Sequence, residues 1–167
     1  RSRAYALGMG GIFLNLSGRE GSGIVVPGKE ADELCRELIR DLKALVDPID
    51  GTRPIHEVYR SKDRYQGPYT DEAPDLVVGF QRGYRSEWGS VAGRLSGAVF
   101  HTNDLAWRGD HAFDPSLVPG VLLSNTPLRG DRPHLVDMAP TILDAFGVLT
   151  PGNMDGTSLL RSSEIPS

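Results

Sequence analysis

"KEADELCRELIRDLKALVDP", residues 29–48, decides the fold class. Ala31, Leu34, Cys35, Leu38, Leu42, Leu45 and Val46 recur at the i, i+3, i+4, i+7 spacing of a helix that turns one apolar face to a core. The pattern predicts a helix of about 16 residues, stopped by Asp47-Pro48 and Asp50-Gly51. Cys35 falls on the apolar face and reads as a small buried hydrophobe; as the only cysteine it excludes an internal disulfide. Such a face needs a cover, and the flanking sequence offers strands. In "GIFLNLSGREGSGIVV", residues 11–26, Ile12, Leu14 and Leu16 alternate with Phe13 and Asn15, and a turn-rich link leads to Ile24-Val25-Val26. This predicts a hairpin or strand pair within the segment. "PIHEVYRSKDRY" (54–65) reads as a strand, and "DLVVGF" (75–80) and "GVLLSN" (120–125) as short buried ones.

A second helix is expected within "LVDMAPTILDAFGV", residues 135–148. Asp137 suits the N-cap, Pro140 is tolerated in the first turn, and Gly147 suits the C-terminal cap. Ala139, Ile142, Leu143 and Phe146 are expected to pack on the sheet. "PGNMDGTSLL" (151–160) closes in turns. Short apolar strands mixed with helices imply an α/β or α+β architecture.

Composition narrows the function classes. Over 167 residues, 39% are hydrophobic and 24% charged, values of a globular chain rather than a disordered one. Twenty Gly and 12 Pro predict many turns. The net charge of −4, with Lys and Arg scattered among acids, argues against a nucleic-acid partner, which would favour a basic stripe. No apolar run approaches a membrane span, and no signal segment is visible. The compartment stays unknown, with the cytoplasm slightly favoured on that account. The chain begins at Arg1, and the expectation is a piece of a longer protein.

Chemistry-bearing residues are few. His56, His101, His111 and His134 show no H-x-x-x-H spacing. His56 in a strand and His134 before a helix read as structural or solvent-facing. His101 is less settled, and His111 gains interest from its loop, "WRGDHAFDP" at 107–115. There is no G-x-S-x-G elbow and no phosphate-binding G-x-x-x-x-G-K-[ST] loop. "GMGG" at 8–11 lacks G-x-G-x-x-G spacing, and no strand visibly precedes it. Residues 81–115 are Gly-rich and aperiodic, as expected of long loops on a scaffold. Within them Arg82, Tyr84, Arg85 and Trp88 form a candidate substrate loop. Arginine suits a phosphate oxygen and an aromatic ring a base or aryl group; the alternative is a solvated loop.

Four segments in order carry a resemblance: "AYALGMGGIFLNLSGREGSGIV" (4–25), "YQGPYTDEAPDLVVGFQRGYR" (65–85), "WRGDHAFDPSLVPGVLLSN" (107–125), and "DMAPTILDAFGV" with "MDGTSLL" (137–160). Together they resemble the C-terminal portion of the type I phosphodiesterase / nucleotide pyrophosphatase family, in the alkaline phosphatase superfamily. The resemblance implies an α/β fold: the C-terminal part of an alkaline-phosphatase-like mixed sheet flanked by helices, with an inserted α+β cap. Residues 1–73, hairpin plus helix, would be the cap, and 74–167 the return to the core sheet. It further implies a metal-dependent phosphoric ester hydrolase with two divalent metals, usually zinc, and a Thr or Ser nucleophile; the paired metals steady the two apical oxygens. Gly109-Asp110-His111 matches the family's late G-x-H motif, so His111 would be a metal ligand and Asp110 a residue behind it. The nucleophile and the S-D-H-G segment find no counterpart here, so no catalytic residue is expected within these residues. The fragment alone is expected to be inactive and to hold no metal. Its partners would be the remainder of the same protein and a phosphate ester or nucleotide substrate. Two alternatives stand beside this: a non-catalytic interaction module, and a sulfatase- or phosphomutase-type member of the superfamily.

Overall fold

The computed structural model describes residues 2–91, 93, 94, 97–106, 109 and 113–160. They belong to two compact units, Arg1–Pro119 and Gly120–Ser167. The sequence division at 73/74 lies inside the first unit, between two segments of one sheet.

That sheet has four antiparallel strands in the order β1-β2-β4-β3: β1 Ala4–Leu7, β2 Gly11–Leu14, β3 Ile55–Arg60 and β4 Leu76–Phe80. The glycine cluster at 8–11 is a hairpin turn preceded by a strand, against expectation. Gly8 and Gly10 have φ of 75° and 119°, the left-handed region that glycine enters without a Cβ clash. The partner of β2 is thus β1, not the Ile24-Val26 segment. That segment returns only as an isolated Leu16–Val25 bridge, with the Ile24 and Val25 amides donating to the Asn15 carbonyl. "AYAL" was unreadable as a strand because it is short and only one of its two faces meets the core.

The helix α1, Lys29–Ala44, lies where the apolar spacing predicts. Leu34 and Cys35 are buried with Leu14, Val25, Ile55, Val58 and Leu76, and Ala31, Leu38, Ile39 and Leu42 pack around them. Leu45 turns extended at ψ 140° ahead of Asp47-Pro48, which ends the helix. Acidic Glu30 and Asp32 occupy the positive N-terminal turn and Lys43 the last. Asp32 receives Lys62 at 2.9 Å and also pairs with Arg60, so the two cations pull its carboxyl down to about 2.

β3 contains the least predictable feature of the sheet. Ile55 pairs with Phe80 but Glu57 with Gly79, so His56 is an extra residue in the strand, a β-bulge. Strict alternation would put Ile55 and Val58 on opposite faces. The extra residue sets both on the α1 side, where both are buried. On the opposite face, His56 and Tyr59 both reach the turn at 114–116.

In the second unit, a turn of 3-10 helix, Leu135–Asp137, runs into α3, Met138–Ala145. Asp137 anchors the start by accepting from the His134 and Thr157 amides at 2.8 and 3.0 Å. At the end, Gly147 (φ 68°) donates to the Asp144 carbonyl and Val148 to that of Leu143, a Schellman stop. The apolar positions of α3 are not covered within its own unit. Ala139 is exposed, and Ile142 and Phe146 are 52% and 81% exposed. Nor is "GVLLSN" a buried strand: it has no ladder, and Val121 and Leu123 are 86% and 89% exposed. A short apolar run carries no information on whether anything covers it.

Candidate functional site

Asp110 and His111, the residues matched to the metal motif, lie outside the described residues. Their loop re-enters the described structure at Phe113 and is pinned one residue later. Asp114 is fully buried. Its Oδ2 accepts from the Tyr59 hydroxyl at 2.8 Å, and its Oδ1 accepts from the Ser116 amide and hydroxyl at 2.9 and 2.5 Å. The Asp114 amide donates to the Phe80 carbonyl. Burial pushes the Asp114 carboxyl up, but the bonds from Ser116 and Tyr59 outweigh it and hold it below the ordinary value. Burial and the same carboxylate push the Tyr59 phenol up. Asp114 sits directly over Gly79 of β4, where a Cβ would fall 2.1 Å from Oδ2. Only glycine leaves room for the carboxylate on the sheet.

Ser116 Oγ also stands 3.1 Å from His56 Nε2. A serine between a histidine and a carboxylate invites comparison with a nucleophile triad. The carboxylate here binds the serine, however, whereas a triad requires it to orient the histidine. The cluster anchors the loop to β3. Sequence reading missed it: its members lie 55 to 60 residues apart and join only through the bulge.

The four substrate-loop candidates are brought together. Arg82, Tyr84, Arg85 and Trp88 all line a cleft of about 830 Å³ between the 47–52 turn and the 99–105 segment. Such a volume lies within the range of small-molecule sites. Tyr84 donates to Asp47 Oδ2 at 2.9 Å and lies 3.4 Å from Asp50 Oδ1, which ties the loop to the end of α1. Burial and these carboxylates push the Tyr84 phenol up. The Asp50 carboxyl is held down, first by the Thr52 amide. The Arg85 guanidinium stands 5.2 Å over the Trp88 ring, in cation–π contact. The short helix α2, Trp88–Val91, carries Trp88. His101 lines the same cleft, with Nε2 3.1 Å from the Ala98 carbonyl. The cleft thus sets two guanidinium groups and an indole ring beside the carboxylates of Asp47, Asp50, Glu87 and Asp104.

Among the described residues, no three His, Cys, Asp or Glu side chains converge on a point that could hold a metal ion. His111, the one metal ligand that the resemblance assigns to this chain, is not among those residues. No helix among them is long and apolar enough to cross a membrane. The chain matches no protein-family model, no curated protein and no solved structure.

Proposed function

We propose that this chain is the C-terminal part of a metal-dependent phosphodiesterase or nucleotide-pyrophosphatase-like hydrolase. In this reading His111 is a ligand, Asp110 stands behind it, and the nucleophile and remaining ligands, with two divalent metals such as zinc, come from the rest of the parent protein. The reading rests on the four ordered sequence segments. Its support in the structure is the gathering of Arg82, Tyr84, Arg85 and Trp88 around one cleft, with guanidinium groups for phosphate oxygens and a ring for a base or aryl group. The anchored Asp114 would hold the loop that carries His111.

The test is hydrolysis of a bis-aryl phosphate diester by the full-length parent, wild type and His111→Ala, with metal content measured in both. Loss of activity by about two orders of magnitude or more, with one metal fewer, is the expected result, since a lost ligand removes the charge stabilisation that drives such reactions. Unchanged activity and metal content would exclude His111 as a ligand. The isolated chain is expected to show no turnover and to bind no stoichiometric metal; zinc near one per chain after dialysis would overturn the second expectation.

A non-catalytic interaction module is the second reading. Val121, Leu123 and Leu149 of the second unit, 86%, 89% and 92% exposed, favour it. An inactive wild-type parent would select it.

A further inference from the structure

A second, smaller cavity lies on the sheet face opposite α1. It measures about 330 Å³ and is bounded by Tyr59, Ser61, Arg64, Val77, Phe113 and Pro115, among others. This volume is at the small end of ligand sites. Its walls are apolar, with two polar exceptions. Ser61 is 3% exposed, and its hydroxyl has no hydrogen-bond partner among the described residues. The backbone of Ser61 is by contrast fully engaged, its amide on the Asp75 carbonyl and its own carbonyl on the Arg64 and Tyr65 amides. Buried hydroxyls are almost always paired; this one is shielded in its present rotamer, and rotation about the Ser61 side chain, which lines the cavity, would give it a partner there. The second exception is Arg64, whose guanidinium stacks 4.6 Å over the Tyr59 ring. Arg64 makes no ion pair among the described residues, so its donor fork is available to an anion. The Tyr59 ring beneath it is fixed, because its hydroxyl is spent on Asp114. Phe113, 36% exposed, and Pro115 supply a flat apolar wall.

We propose that this cavity is a binding site for a small aromatic carboxylate of about the size of benzoate. The carboxylate takes the Arg64 guanidinium and the Ser61 hydroxyl, and the ring packs on Phe113, Pro115 and Val77. Phosphate alone lacks the ring and leaves the apolar wall wet; a neutral aryl alcohol lacks the charge. The site shares no residue with the 830 Å³ cleft and is independent of the phosphohydrolase reading.

The experiment is an NMR titration of the 167-residue chain with benzoate, benzyl alcohol and inorganic phosphate. Saturable benzoate shifts at the Ser61, Arg64 and Phe113 amides are expected, with a dissociation constant of about a millimolar or tighter. The other two probes should bind at least about tenfold more weakly, as the loss of the charged pair or of the ring predicts. Arg64→Ala, an exposed position, should weaken benzoate at least about tenfold, and Ser61→Ala about threefold. Unchanged α1 amides in both variants show that the fold is kept. Benzoate shifts that never saturate, equal binding of phosphate, or undiminished affinity in Arg64→Ala would each overturn the proposal.

Discussion

The helices α1 and α3 announce themselves in sequence by the same apolar spacing, yet they live differently. α1 buries Leu34 and Cys35 under a stripe of further apolar contacts and ends where its sequence says. α3 is also stopped as its sequence says, by Gly147, but presents Ile142 and Phe146 to the outside. Periodicity therefore reports which face of a helix is apolar, while capping residues report where it ends. Neither reports whether a partner surface exists. For α1 the partner is local, a sheet built from strands that lie between Ala4 and Phe80, on either side of it in the chain. For α3 the described residues of its own unit supply no such sheet.

Truncating the two helices should expose that contrast. Leu34→Ala removes a side chain 4% exposed and should cost about 2–5 kcal/mol in urea unfolding. A cost below about 1 kcal/mol would mean that the α1 face is not the core. Next in size is Asp114→Ala, which leaves the half-buried Tyr59 hydroxyl without its acceptor and should cost about 1–3 kcal/mol. The Asp114 carboxyl also ties stability to pH. Because its folded value lies below the ordinary 3.8, its contribution is complete above that pH and is lost as pH falls through the folded value. The melting temperature should thus fall on acidification from pH 5 to pH 2, less steeply in Asp114→Asn; equal slopes would show that Asp114 is not the titrating group. Asp32, held down to about 2, adds in the same sense. On the α3 side, Gly147→Ala should cost about 1 kcal/mol through its left-handed φ. Smallest of all, Phe146→Ala at 81% exposure should fall within about 0.5 kcal/mol of wild type. A larger loss in a thermal melt would reveal a cover on α3.

Legibility followed the range of the interactions. α1, β3 and β4 were readable because their signals repeat within the segment itself. β1 was not, since four residues with Tyr5 on the outer face carry too little pattern; Tyr5 stacks instead on Phe13, 5.5 Å away. The apolar run at 120–125 misled for the opposite reason, being a strong local signal without a neighbour. Of the candidate site, the grouping of Arg82, Tyr84, Arg85 and Trp88 followed from their closeness in sequence. The Asp114–Tyr59–Ser116 anchor did not, because it depends on a carboxylate meeting a glycine on another strand.

The extra residue in β3 acts as a phase shifter between two populations of side chains. Upstream of His56 the strand is in one register with β4, and downstream in another. A point substitution at His56 would leave the phase untouched, whatever it did to the contact with Ser116. Deleting the residue would close the bulge into an unbroken ladder, in which Ile55 and Val58, then two positions apart, still share the core face and Tyr59 still faces Asp114. What deletion takes away is the His56 contact with Ser116, so the bulge is a place where the strand can change length by one residue without moving the core.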